Sequence, residues 1–181
     1  AKIASGIGAS TTILDISQER LAYLDDVFGS SVQTLFSNDA NIESEIADAD
    51  VVIGSVYVHG ASAPKLIRRT HLKGMKKGAV LVDVAIDQGG CFETSKATTH
   101  DKPIYDVDGI VHYCVANMPG VVPQTSTVAL NNQTLHYGLE IASKISPDKY
   151  NDALKLGVNT HDGKLICEAV ANTHNLQYSV L

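Results

Sequence analysis

Apolar residues along this chain fall into short β-branched runs separated by stretches with helical spacing. Residues 11–15 form a run that closes on an acid, Asp15, and residues 18–28 then set Leu21, Leu24 and Phe28 on one helical stripe. Residues 32–36 predict a second strand, 42–47 a short helix, and 51–56 a third strand with little polar alternation. A run of that kind suits a strand covered on both faces, as in parallel sheets. Pro64 marks a helix entrance, so 65–72 reads as a helix and Lys77-Gly78 as the turn that follows. Residues 80–86 predict a fourth strand and 111–115 a fifth, the latter preceded by a loop that carries Pro103 and Gly109. Strands alternating with helices at this spacing mean βαβ units, hence an α/β fold with a doubly wound parallel sheet.

Beyond residue 125 the pattern changes. Residues 126–144 predict a long helix with Val128, Leu135, Leu139 and Ala142 on one side, and Ser146-Pro147 ends it. Residues 158–166 read as a hairpin turning on Asp162-Gly163, a dipeptide favoured where both central residues need positive φ. Residues 167–173 predict a last short helix. The expected division is 1–125 for a nucleotide-binding unit and 126–181 for a segment that packs on another domain.

Composition narrows the function classes. The 181 residues carry a net charge of -6, with 14 basic residues scattered among 20 acidic ones, which argues against a nucleic-acid partner. Arg68-Arg69 and Lys76-Lys77 are the basic knots, and both read as solvated faces. Apolar residues make up 44% of the chain and mean hydropathy is +0.02, enough for a sizeable core. No apolar run is long enough to predict a membrane span. The three cysteines, Cys91, Cys114 and Cys167, are odd in number and far apart, which predicts free thiols in a reducing, cytoplasmic setting. The first residues read as the middle of a helix without an initiating Met, so the expectation is that an upstream part is missing.

Three places carry candidate chemistry. Asp15 ends the second strand expected of a dinucleotide-binding sheet, where an acid accepts hydrogen bonds from the adenosine ribose and selects NAD over NADP. An exposed Asp that starts a turn or caps the next helix reads equally well. Gly6-Ile7-Gly8 sits at a helix end directly before a strand, so it reads as a C-cap, and the phosphate-gripping glycine turn is expected before Ala1. Asp87-Gln88-Gly89-Gly90 and Asn117-Met118-Pro119-Gly120 follow the fourth and fifth strands, where open α/β sheets bind ligands; plain turns are the competing reading of both. No histidine pair has metal-ligand spacing, and His59 and His100 read as ordinary polar loop residues. No Gly-x-Ser-x-Gly elbow is present, which leaves a serine hydrolase without support.

The string from Val82 through Asp87-Gln88-Gly89-Gly90-Cys91-Phe92-Glu93 to Thr94 resembles alanine dehydrogenases, and so does His112-Tyr113-Cys114-Val115-Ala116-Asn117-Met118-Pro119-Gly120. Thr98-Thr99-His100-Asp101 and Ala63-Pro64-Lys65-Leu66 extend the resemblance over practically the whole chain. It implies most of the NAD-binding half of such an enzyme: a Rossmann-type sheet lacking its first strand and glycine loop, with a C-terminal helix and hairpin that return towards a substrate domain. It implies reversible NAD-dependent oxidative deamination of L-alanine to pyruvate and ammonium, with Asp87 as the catalytic aspartate.

The same resemblance implies that Asp15 holds the adenosine ribose while Arg20, Ser37, Val56 and Tyr57 border the adenosine. Val84, Ala85, Ile86 and Asp87 would line the nicotinamide pocket, faced by Val115, Ala116, Asn117 and Met118. Lys96 stands where relatives carry Arg, keeping a basic cofactor contact without the fork. Glu140 matches one metal-binding position but Lys144 replaces the second ligand, so no metal site is expected, and a Glu140–Lys144 ion pair is the preferred reading. The family's acid–base His and its carboxylate-binding Arg and Lys belong to the substrate domain. A homo-oligomer, a hexamer, is the implied assembly. The NAD-binding component of a proton-translocating transhydrogenase is the rival within the fold, and an inert nucleotide-binding fragment is the rival outside enzymes.

Overall fold

The computed structural model describes residues 1–58, 62–143 and 146–181. The first helix, α1 (Lys2–Gly6), ends where the Ala9 amide bonds the Ala4 carbonyl at 3.0 Å and Gly8 takes φ +89°, the left-handed exit expected of a helix C-cap. Strand β1 (Thr12–Asp15) follows, then α2 (Gln18–Phe28), whose first turn is closed by the Ser17 hydroxyl accepting the Arg20 amide at 3.2 Å. Leu21, Leu24 and Phe28 are the half-buried stripe of this helix. Strand β2 (Gln33–Phe36) returns parallel to β1, with Asp15 opposite Phe36. Helix α3 (Asp39–Asp48) is capped by Asn38 and buries Ile42 and Ile46, one turn apart on its inner face. It is longer than the apolar pattern predicts, because the polar residues of its first turn are recruited by the cap.

Strand β3 (Val51–Gly54) is an outer strand of a four-stranded sheet, and its Val51 and Ile53 are exposed, so it is not covered on both faces as its apolar run predicts. The sheet continues with β4 (Val80–Asp83), then β6 (Ile110–Tyr113), then β5 (Ile104–Val107) at the far edge. β3, β4 and β6 are mutually parallel, with Val52 opposite Leu81 and Leu81 opposite His112. β5 is antiparallel to β6 across a turn in which Asp108 (φ +55°) and Gly109 (φ +83°) both occupy left-handed space. The loop predicted ahead of the fifth strand is therefore the first arm of a hairpin.

The helix predicted over 65–72 is absent. The Ala63 amide bonds the Gln88 carbonyl at 3.0 Å, the Leu66 amide bonds the Cys91 carbonyl at 2.8 Å, and the Glu93 amide bonds the Ile67 carbonyl at 2.8 Å. The segment is extended because it satisfies the backbone of the turn after β4, and only Arg69–Gly74 coils into 3-10 turns. A helix of two turns has little intrinsic stability to set against such pairing.

The core gathers Leu72, Leu81, Cys91, Phe92 and Ile110, with Ile42 and Ile46 of α3 packed on it and Leu14 of β1 partly buried against it. Full burial of Phe92 alone stabilises by about 2–3 kcal/mol.

Helix α4 (Pro123–Ser143) starts at Pro123 rather than Ser126, with proline in the first helical position where its missing N–H costs nothing. It has no buried residue, and Val128, Leu135 and Leu139 are exposed. α5 (Asp152–Lys155), the hairpin β7 (Thr160–His161) and β8 (Lys164–Leu165), and α6 (Glu168–His174) complete the chain. The hairpin turns on Asp162 (φ +49°) and Gly163 (φ +73°), as the dipeptide predicts.

Candidate functional site

Because β3, β4 and β6 run in the same direction, the segments leaving their carboxyl ends share one edge of the sheet. After β3 come Val56, half-buried and packed on the core, and the exposed Tyr57. After β4 the chain coils at once into a 3-10 turn, Val84–Gln88, so Asp87 stands exposed on a short helix rather than in an open loop. Gly89 (φ +85°) and Gly90 (φ +75°) end that turn in left-handed space, and a Cβ on Gly89 would meet nothing within 4 Å. After β6 comes Asn117, left-handed at φ +61°, a conformation Asn tolerates better than most residues, followed by the 3-10 turn Met118–Val121.

The edge residues divide by depth. Val84, Asp87, Ala116 and Asn117 are exposed and Met118 is half-buried, whereas Ala85 and Ile86 are buried and Val115 has no exposed surface. Val115 therefore lies beneath the rim, with no surface of its own there. Lys96 is exposed, and its backbone amide donates to the Tyr105 hydroxyl at 2.7 Å.

Asp15 ends β1 beside Ser37, whose amide continues the ladder to the Asp15 carbonyl at 2.9 Å. One Asp15 carboxylate oxygen accepts the Ser17 amide at 2.8 Å and shapes the entry to α2, while the other has no hydrogen bond among the described residues. The turn-forming and ligand-holding readings of Asp15 are therefore compatible on different oxygens. Arg20 points from α2 over the Tyr23 ring, 4.8 Å from its centroid. Asp15 and Ser37 lie at the end of the β1–β2 pair, with Arg20 on the helix between those strands, and this pair is a separate sheet from the one whose strands lead to Asp87 and Asn117.

Beneath the rim lies a residue that the apolar strand pattern conceals. Asp83, the last residue of β4, is fully buried, and its carboxylate accepts the Cys91 amide at 2.9 Å, the Phe92 amide at 3.4 Å and the Ser95 hydroxyl. Charge-assisted bonds of this kind offset the desolvation of the carboxylate and tie down the turn that follows Asp87. Burial, and then the charge of Asp83, push the Cys91 thiol up to about 12. Burial and the Cys114 contact likewise hold the Tyr105 phenol above its ordinary range. The signal available in the sequence was an acid at the end of an otherwise apolar strand.

His100, an ordinary loop residue by sequence, places Nε2 3.0 Å from the Asn117 carbonyl. His59 and Lys144 lie outside the described residues, and with Lys144 the expected ion pair to Glu140. The Glu140 carboxylate accepts the Asn151 amide at 3.0 Å and the Asn151 side-chain amide at 2.6 Å, which fixes the start of α5. Among the described residues no cluster of three or more His, Cys, Asp or Glu side chains forms a metal-binding group. No described helix is long and apolar enough to cross a membrane, and all three cysteines are free.

One edge thus presents an exposed carboxylate, an exposed carboxamide and, at Gly89, a backbone open to close approach, a set suited to a flat polar ligand. A family model described as alanine dehydrogenase/PNT, C-terminal domain, matches residues 1–168. The chain is 53% identical over 182 aligned residues to an alanine dehydrogenase of Staphylococcus haemolyticus, covering 99% of this chain and 49% of that protein. It is 52% identical to an alanine dehydrogenase of Methanococcus maripaludis over the same shares, 99% and 49%. Among solved structures it is similar to an L-alanine dehydrogenase, with a TM-score of 0.84, 46% identity, and coverage of 96% of this chain and 48% of that one. A transhydrogenase from Sinorhizobium meliloti shares the fold, with a TM-score of 0.69 at 23% identity over 92% of this chain and 45% of that one. The chain spans about half the length of the curated relatives it matches. With the family model covering nearly all of it, the chain belongs to the alanine dehydrogenase/PNT C-terminal domain family.

Proposed function

We propose that this chain supplies the NAD-binding half of an alanine dehydrogenase, which reversibly converts L-alanine to pyruvate and ammonium. The observation that carries the reading is the register of β4 on β6: Val80 faces Val111 and Val82 faces Tyr113, so Asp87 and Asn117 follow neighbouring parallel strands on one edge. The names of the relatives support the substrate.

The residues present fit the dinucleotide. The unbonded oxygen of Asp15 is available to ribose hydroxyls, and its charge disfavours a phosphate there. Ser37, Arg20, Val56 and Tyr57 border the adenosine in this reading, and Lys96 adds a cationic contact. Val84, Asp87, Ala116, Asn117 and Met118 receive the nicotinamide end over a floor of Ala85, Ile86 and Val115. Asn117 carries both a donor and an acceptor, as recognition of a carboxamide requires. When bound, NAD accepts hydride from the substrate α-carbon. The Asp87 carboxylate stabilises the positive charge that develops on the substrate nitrogen and orients the water that attacks the carbon.

We further read residues 1–125 as the nucleotide-binding unit, with the exposed apolar side of α4 covered in a homo-oligomeric, cytoplasmic enzyme. The free thiols of Cys91, Cys114 and Cys167 accord with a reducing compartment. The test is alanine-dependent formation of NADH by the purified protein that carries this chain. Hydride exchange between NADH and an NADP-loaded partner, with no alanine turnover, would overturn the reading in favour of a transhydrogenase component.

A further inference from the structure

Gln88 follows Asp87 directly, is half-buried, and closes the 3-10 turn after β4. Its side-chain oxygen accepts the Val58 amide at 3.2 Å, and its side-chain nitrogen donates to the Val58 carbonyl at 2.7 Å. Its own carbonyl accepts the Ala63 amide at 3.0 Å. Two bonds to one residue's backbone fix which way the amide faces, because a flipped amide would set donor against donor and acceptor against acceptor. The Gln88 side chain thus does for Val58 what a neighbouring strand would do, past the point where β3 has ended at Gly54. Lys65 secures the other side of the same turn, donating to the carbonyls of Gly89 and Gly90.

We propose that Gln88 is a positioning residue that couples the segment Val56-Tyr57-Val58 to Asp87, so that the surface bordering the adenosine and the carboxylate at the reacting end are set by one amide clamp. The inference rests on the reading under Proposed function for the identity of the ligand, whereas the clamp itself rests on the Gln88–Val58 geometry. Without the clamp the Val58 backbone must find water for its donor and acceptor, and the segment loses its fixed place beside the turn that carries Asp87. The cost is then felt in cofactor affinity, although Gln88 itself need not touch the cofactor.

Two variants of the protein that carries this chain test the proposal. Gln88→Glu keeps the side chain's length but replaces its donor with an acceptor that repels the Val58 carbonyl. The expected result is NADH affinity, read from the fluorescence of the bound dinucleotide, weakened about tenfold at about pH 8 relative to wild type. The deficit shrinks as pH falls to about 5, because partial burial and the facing Val58 carbonyl favour the protonated glutamic acid, which donates to that carbonyl again. Gln88→Ala, with no dinucleotide present, is expected to speed hydrogen exchange of the Val58 amide about tenfold. Wild-type affinity in Gln88→Glu at both pH values, or unchanged Val58 exchange in Gln88→Ala, would overturn the proposal. Failure of the wild-type protein to bind NADH would strike the cofactor reading instead, with the exchange measurement still deciding the clamp.

Discussion

Nε2 of His100 lies 3.0 Å from the carbonyl oxygen of Asn117, and this bond joins the segment after Asp87 to the residue that opens the loop after β6. Asn117 is held in left-handed backbone space, so its carboxamide is aimed by the backbone as much as by its own rotamer. The chain beyond it is anchored independently, since the Ser126 hydroxyl donates to the Pro119 carbonyl at 3.0 Å. Removing the imidazole therefore loosens one end of a loop whose other end stays fixed.

For that reason His100→Ala should weaken NADH binding by only about two- to fivefold, the share of one exposed hydrogen bond, with little change in thermal stability. Titration of NADH fluorescence checks it. An affinity equal to wild type would mean that the bond does not orient Asn117.

Asp87 stands exposed on a turn anchored from beneath by Asp83 and Gln88, so substituting it should leave the local structure intact. Asp87→Asn, nearly isosteric and uncharged, should lower kcat for alanine oxidation by about a hundredfold or more while NAD affinity stays within a few-fold. Steady-state kinetics paired with a binding titration separates the two effects, and near-normal turnover would remove Asp87 from the mechanism.

How far these features could be read in advance follows from their range along the chain. Helix α2 was legible because Leu21, Leu24 and Phe28 specify a stripe within one element. The helix predicted after Pro64 failed because residues 63–67 answer to the backbone of 88–93, a partner invisible to any local window. The β5–β6 hairpin failed differently: Asp108-Gly109 carries the same turn signal that identified Asp162-Gly163, but Pro103 and Asp106 interrupt the apolar pattern, so residues 104–107 read as part of a loop. The place of Asp87 and Asn117 at one edge of the sheet was legible from their position after apolar strands. Asp83, Gln88 and His100 were not, since each acts on a residue brought near only by the fold.

Two glycines carry close packing that a single methyl group would disrupt. A Cβ on Gly54 would approach Phe92 Cζ to 2.7 Å as well as Cys91 Sγ, and one on Gly90 would lie 2.6 Å from Asp83 Oδ2 at a backbone φ of +75°. Gly54→Ala and Gly90→Ala should each destabilise by about 2–4 kcal/mol, from overpacking in the first and from overpacking with backbone strain in the second. Gly89→Ala, strained in φ but free of neighbours, should cost only about 1 kcal/mol. Urea denaturation of the three variants checks the order; a negligible loss in Gly54→Ala, with equal losses in Gly89→Ala and Gly90→Ala, would show that backbone strain alone sets the cost.

The buried Cys91 thiol makes stability depend on alkaline pH. Burial first, and the neighbouring Asp83 carboxylate second, raise it from the ordinary thiol value near 9 to about 12. In the unfolded chain the same thiol ionises at its ordinary value, so between about 9 and about 12 the unfolded state releases a proton that the folded state retains. The contribution is whole below the unfolded value and is lost as pH rises through this window, the sign expected of an acid kept neutral by burial. Other groups titrate over the same range, which makes the difference from Cys91→Ala the informative quantity. The urea midpoint of the wild type should fall more steeply with pH across the window than that of the variant. Parallel slopes would mean that Cys91 ionises in the folded protein as readily as in the unfolded chain, and that the Asp83 carboxylate imposes no electrostatic cost on it.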